Sequence, residues 1–276
     1  MLKKLLKYEI RATARLFLPV FGAILVLAIL NNIFFNFNDI PDFAAVLTMM
    51  VYVILIIALF VLVFVVMIQR FYKNLLCDEG YLMFTLPVKT WQLIASKLIV
   101  SIMWLAICSA VTVLSIFIVA FSPEMLQAIP ELMGAFSDFL AHYVGISEVT
   151  LLFEFLLSML IGTIGSVLMI YAAISVGHLV HKHRVLTAFG AYIGLSIVES
   201  IITNLYFTLI GRIYDSAIPY GAYGSYQFGY GAYDFARELV VALHMVMIPT
   251  LIITVIFSAA YFVLTNYILS HRLNLE

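Results

Sequence analysis

The chain is predicted to be an all-α, polytopic membrane protein with six transmembrane helices, and three observations predict it. Of its 276 residues, 65% are hydrophobic and 11% charged, against roughly 25% charged residues in an ordinary soluble domain. Six apolar runs reach the ~20 residues that a helix rising about 1.5 Å per residue needs to cross the hydrocarbon. The runs are continuously apolar, not alternating, which indicates helices that satisfy their own backbone hydrogen bonds in lipid and not the strands of a barrel.

Taken in order, residues 1–15 intersperse Leu2, Leu5, Leu6 and Ile10 with Lys3, Lys4, Lys7 and Arg11. That pattern suits an amphipathic helix lying in the inner interface, with an ordinary basic flank as the alternative. A first span follows at about 16–35; it is longer than a signal-peptide core and no small-residue cleavage site follows it, so it is read as retained. The remaining spans are expected at about 43–68, 98–121, 155–177, 185–210 and 245–269. Lys and Arg near the span ends set orientation. Lys3, Lys4, Lys7, Arg11, Arg15, Arg70, Lys73, Lys89, Lys97, Lys182, Arg184 and Arg272 share one face, and only Arg212 and Arg237 lie opposite. Both termini and the 69–97 loop are therefore expected in the cytoplasm, an arrangement that requires an even number of spans.

The 69–97 loop is richer than a turn requires. It offers a helix start at Asp78 and Glu79, then Gly80, apolar Tyr81, Leu82, Phe84 and Leu86, and a stop at Pro87. An acidic pair suits a helix N-terminus, and four apolar residues can enter a groove on a partner. The alternative is a short helix resting on the headgroups, anchored by Tyr81 and Phe84. Outside, the 122–154 segment holds Pro123, Pro130, Glu131, Asp138 and Glu148 around an amphipathic stretch from Leu126 to Phe139, expected to form short surface helices. The 211–244 segment repeats itself: Tyr220-Gly221-Ala222-Tyr223 returns as Tyr230-Gly231-Ala232-Tyr233, with Tyr226 between. Glycine supplies flexibility and tyrosine amphipathic contacts, which suits an outer gate or lid, or equally a loop lying at the interface.

Within the spans the strongest signal is Glu199, because a charged side chain at the bilayer centre costs roughly 2.5–3.5 kcal/mol on insertion scales. Ser196, Glu199, Ser200 and Thr203 share a helix face with Asn204 beside them. This stripe lines a translocation path or a dimer interface, or else holds a protonated carboxyl packed against a neighbouring helix. Gly190 and Gly194, like Ser158, Gly162 and Ser166, have the spacing that permits close helix approach. Glu154 reads as a solvated boundary residue. His178, His181 and His183 beside Lys182 and Arg184 form a basic anchor between spans four and five; no carboxylate or thiolate completes a metal set, so no metal is expected. Cys77 and Cys108 fall at different depths and make neither a disulfide nor a shared metal site.

The sequence lacks GxxxxGK[ST], HExxH, GxSxG and CxxC patterns, so no catalytic residue is assigned and the chain is not read as an enzyme. A net charge of -1 gives no reason for a nucleic-acid partner.

The order of segments resembles a bacterial ABC-2 type transporter permease: an amphipathic N-terminal helix, six spans, both ends inside and a long cytosolic loop between spans two and three. Asp78-Glu79-Gly80-Tyr81-Leu82-Met83-Phe84-Thr85-Leu86-Pro87 resembles the segment in which such permeases carry the coupling helix. The resemblance implies a single permease domain over 1–276 in the bacterial plasma membrane. It implies two copies of a separate ABC ATPase as partners, with ATP and Mg on that subunit and no cofactor in this chain. It also implies a second permease copy, as a homodimer or a related heterodimer, surrounded by membrane lipid. The aromatic outer segment and scarcity of intramembrane charge favour export of an amphipathic or hydrophobic cargo such as a peptide, a lipid-linked molecule or a drug-like compound. A secondary transporter built on Glu199 is the main alternative, ahead of an intramembrane enzyme or a purely structural or sensory subunit.

Overall fold

The computed structural model describes residues 2–36, 42–76, 89–121, 123–139, 148–180, 183–217 and 232–271. Among them are seven helices and no strand: α1 (Leu2–Asn36), α2 (Asp42–Leu76), α3 (Thr90–Ala120), α4 (Pro123–Phe139), α5 (Glu148–Gly177), α6 (Arg184–Ala217) and α7 (Ala232–His271). All but the 17-residue α4 are long and apolar enough to cross a membrane, six in number as the sequence predicts. The protein is a helical, multi-pass membrane protein. Its helices cluster into two compact units, Met1–Leu132 with the residues from Leu269 onward, and Met133–Ile268.

The helices are longer than the apolar runs alone suggest. The interfacial segment expected at 1–15 and the span expected at 16–35 form one unbroken helix, α1, which passes through Pro19. The loop expected at 69–97 shortens, because α2 continues to Leu76 and α3 starts at Thr90. Burial explains this: Phe71, Leu75, Leu76, Leu93 and Ile94 are all 2% exposed or less, so an apolar face continues beyond the charged Arg70 and Lys97. The segments expected at 122–154 and 211–244 likewise narrow, since α5 begins at Glu148, α6 runs to Ala217 and α7 begins at Ala232.

In the first unit α1 packs against both α2 and α3, most extensively against α3. Glu9, Thr13, Phe17, Phe21, Ile24, Ala28 and Asn31 are its buried residues, three or four apart and therefore on one face. At mid-length Phe17 and Phe21 pack on Trp104, with ring centroids 4.7 and 6.1 Å apart. Toward the far end the seam turns polar. The Thr48 hydroxyl donates to Asn31 Oδ1 at 3.0 Å, and the Tyr52 and Ser115 hydroxyls share a 2.8 Å hydrogen bond. Asn32 Nδ2 donates to the Phe121 and Val119 carbonyls at 2.8 and 3.3 Å, satisfying acceptors that the end of α3 leaves open.

In the second unit α5 and α6 form a packed hairpin. At its join His183 takes a left-handed backbone with φ 61°, and its carbonyl accepts the Thr187 N–H at 2.9 Å. The hairpin closes so tightly that a Cβ on Gly177 would lie 2.5 Å from Ala188 Cβ. Helix α7 comes near α5 at Gly165, where a Cβ would stand 3.0 Å from Ser258 Oγ. Along α7 the hydroxyls of Thr250, Thr254, Ser258 and Thr265 each donate to the carbonyl four residues earlier, at 2.7 to 2.8 Å. Gly162, Gly190 and Gly194 stand open: among the described residues a Cβ on any of them would meet nothing within 4 Å apart from its own helix.

Candidate functional site

From Arg184 to Arg212 helix α6 has no fully buried residue. Most of its surface is apolar and suited to lipid; Ile197, Val198, Ile201 and Leu205 are each more than half exposed. One face departs from this pattern. Ser196, Glu199, Ser200, Thr203 and Asn204 line an open cleft of about 330 Å³, joined by Met169 from α5. The sequence therefore places all five polar residues on one site, and the facing helix contributes a polarizable thioether.

Glu199 has one resolved partner. The Tyr261 hydroxyl, on the largely buried ring of α7, donates to Oε2 at 2.7 Å, and the Phe257 ring stacks beside it with centroids 6.0 Å apart. Among the described residues no Lys, Arg or His pairs with Glu199, since both ion pairs found there belong to Glu9. Asn204 Nδ2 donates to the Ser200 carbonyl at 2.9 Å, which leaves its side-chain oxygen and one further N–H to offer the cleft. A hydrogen bond to a charged group contributes roughly 1.5–3 kcal/mol, comparable to the insertion cost of the carboxylate itself. Tyr261 thus offsets much of the cost of keeping Glu199 at this depth.

Tyr261 was not legible as part of the site. Its only sequence signal is position, well inside an apolar run instead of at the interface where membrane tyrosines concentrate.

Reasoning from sequence also passes over Glu9, the one acidic residue among the first 38. It is 7% exposed and joins three helices. Arg70 Nη1 of α2 donates to Oε2 at 2.9 Å, Asn74 Nδ2 donates to Oε1 at 3.3 Å, and Lys97 of α3 forms a salt bridge with Oε1. One turn further along α1, Thr13 donates to the Glu9 carbonyl at 2.8 Å and receives Trp104 Nε1–H at 2.7 Å. The signal that would have found this cluster is a lone acid in a basic segment, with one cation just after the second apolar run and another just before the third.

The other predicted sites fall only in part among the described residues. Asp78, Glu79, Gly80, Tyr81, Leu82, Phe84, Leu86 and Pro87 lie outside the described residues, as do Tyr220, Tyr223, Tyr226 and Tyr230; Tyr233 falls in the first turn of α7. His178 and Arg184 approach at 3.5 Å, whereas His181 and Lys182 are outside the described residues. Cys108 is a buried free thiol. Comparison with known proteins finds no matching family model, no matching curated protein and no matching solved structure.

Proposed function

We propose that the chain is the permease subunit of an ATP-driven exporter of the ABC-2 type, passing an amphipathic or hydrophobic cargo across a bacterial plasma membrane. The observation that carries transport is the α6 cleft: five polar side chains, one a carboxylate, open from a helix whose other faces suit lipid. Polar and ionisable groups at membrane depth are costly and mark substrate or ion pathways. The case for ATP drive comes from the sequence, through the coupling-helix resemblance of 78–87 and the absence of a P-loop in the chain. In this reading both termini and the 77–88 connection face the cytoplasm, two permeases pair with two ATPases, and nucleotide-driven movement of that connection shifts the helices around the cleft.

The test is affinity purification of the tagged chain from its native membranes in mild detergent. A stoichiometric P-loop ATPase, released by Glu79→Ala and Phe84→Ala, is the expected result. A chain that purifies alone and still transports would overturn ATP drive. A second reading, secondary transport, is favoured by the Glu199–Tyr261 pair, which has the form of a site that exchanges one proton or cation. Transport that follows an ion gradient and ignores nucleotide would select it.

A further inference from the structure

We propose that the α6 cleft binds the ammonium head of an amphipathic organic cation, with Glu199 as the counter-ion. This rests on the transport reading of the same cleft and adds the chemical class of the cargo.

No cation among the described residues offsets a charge on Glu199. Glu199 holds one donor, the Tyr261 hydroxyl on Oε2, and among the described residues no basic side chain reaches it. An ionised carboxylate at this depth is stabilised by a cation close by, and a cationic ligand passing through the cleft can supply it.

The polarity of the lining agrees. Tyr261 O–H and Asn204 Nδ2 point at Glu199 and at the Ser200 carbonyl respectively. The cleft thus keeps the carboxylate, the Asn204 side-chain oxygen and the Met169 sulfur as acceptors, with the hydroxyls of Ser196, Ser200 and Thr203 able to accept as well. The three hydroxyls and the second Asn204 N–H can also donate, but the one ionisable group of the lining is an acid and among the described residues no cation stands beside it, which matches an ammonium group, with three donors and no acceptor, and mismatches a phosphate or carboxylate head.

Size and surroundings suit the same ligand. About 330 Å³ sits at the bottom of the roughly 300–1,000 Å³ range of small-molecule sites, enough for a head group and its first carbons. The exposed Ile197, Val198, Ile201 and Leu205 flank the stripe and give an apolar tail a path along α6 in the lipid.

The experiment uses the full chain in lipid nanodiscs, without nucleotide or partner, titrated calorimetrically with n-octylammonium and, as comparators, octyl sulfate and octanol. Empty discs are subtracted. Octylammonium is expected to bind above the empty-disc background and above both comparators. Glu199→Gln, which keeps the shape of the side chain and its ability to accept from Tyr261, is expected to lower the affinity tenfold or more, the equivalent of about 1.4 kcal/mol. Ser200→Val, which keeps the carboxylate and fills the cleft, is expected to weaken binding too, so the inference stays testable should the first variant fail to fold. Equal binding of the three probes, or wild-type affinity in whichever variant folds, overturns the inference. Because binding is read without ATP or ATPase, failure of ATP drive leaves this result standing. Conversely, ATPase-dependent transport of a neutral cargo without octylammonium binding would sink the inference and keep the permease.

Discussion

Two carboxylates on apolar helices meet opposite fates in this protein. Glu9 is met from two other helices by Arg70, Asn74 and Lys97, and is closed away from solvent and lipid. Glu199 has the Tyr261 hydroxyl and an open cleft. The first shows what an acid does when the fold supplies its counter-charges: it locks three helices to one register. The second shows an acid for which the described residues supply a hydrogen bond and no charge, so its compensation has to come from a proton or a ligand. Buried ion pairs contribute less to net stability than their geometry suggests, yet losing one partner is costly. Substitutions at the two sites should therefore diverge sharply.

The largest expected effect is from Glu9→Ala. It leaves Arg70 and Lys97 without the anion they share, and a broken buried pair costs about 3–5 kcal/mol. Loss of the monodisperse peak in detergent chromatography, or a large drop in midpoint of thermal unfolding, checks this; a wild-type midpoint would erase the contrast. Next, Glu9→Gln combined with Lys97→Met removes the most buried pair together. Because replacing both partners with groups of similar shape is often close to neutral, the double variant should recover most of the stability lost in Glu9→Gln alone. Trp104→Phe keeps the ring against Phe17 and Phe21 but drops the hydrogen bond to Thr13; a loss of about 1 kcal/mol is expected from one buried hydrogen bond, read as a modest shift of the same midpoint. Smallest of all is Glu199→Gln, expected to leave the midpoint within about 1 kcal/mol of wild type, since one hydrogen bond is retained and a membrane charge removed. A collapse as large as that of Glu9→Ala would mean that Glu199 is a packing residue.

Much of this architecture was legible in the sequence. Length and apolarity located the six long helices, and helical spacing collected Ser196, Glu199, Ser200, Thr203 and Asn204 onto one cleft. Their ends were not legible, because an apolar run marks where lipid begins and a helix can continue past it. Arg70 and Lys97 look like span boundaries in one dimension, yet Glu9 draws both inward, Lys97 fully buried and Arg70 half-buried. The same limitation hid Tyr261, whose partner lies 62 residues earlier on another helix. Pairings of that kind depend on how helices meet, which a period of 3.6 residues does not encode. Gly190 and Gly194 have the spacing that permits close helix approach, and none of the described residues comes within reach of a Cβ at either.

Helix α7 carries a mechanical consequence in its hydroxyls. Thr250, Thr254, Ser258 and Thr265 turn their protons to their own backbone, so their donors are satisfied without a partner helix and exert no directional pull on neighbouring helices. A helix made this way can turn or slide like a shaft in a bearing, since these four bonds travel with it. The Tyr261–Glu199 bond does not travel. It acts as a pin through the shaft, and whatever draws the carboxylate of Glu199 toward itself also withdraws the pin.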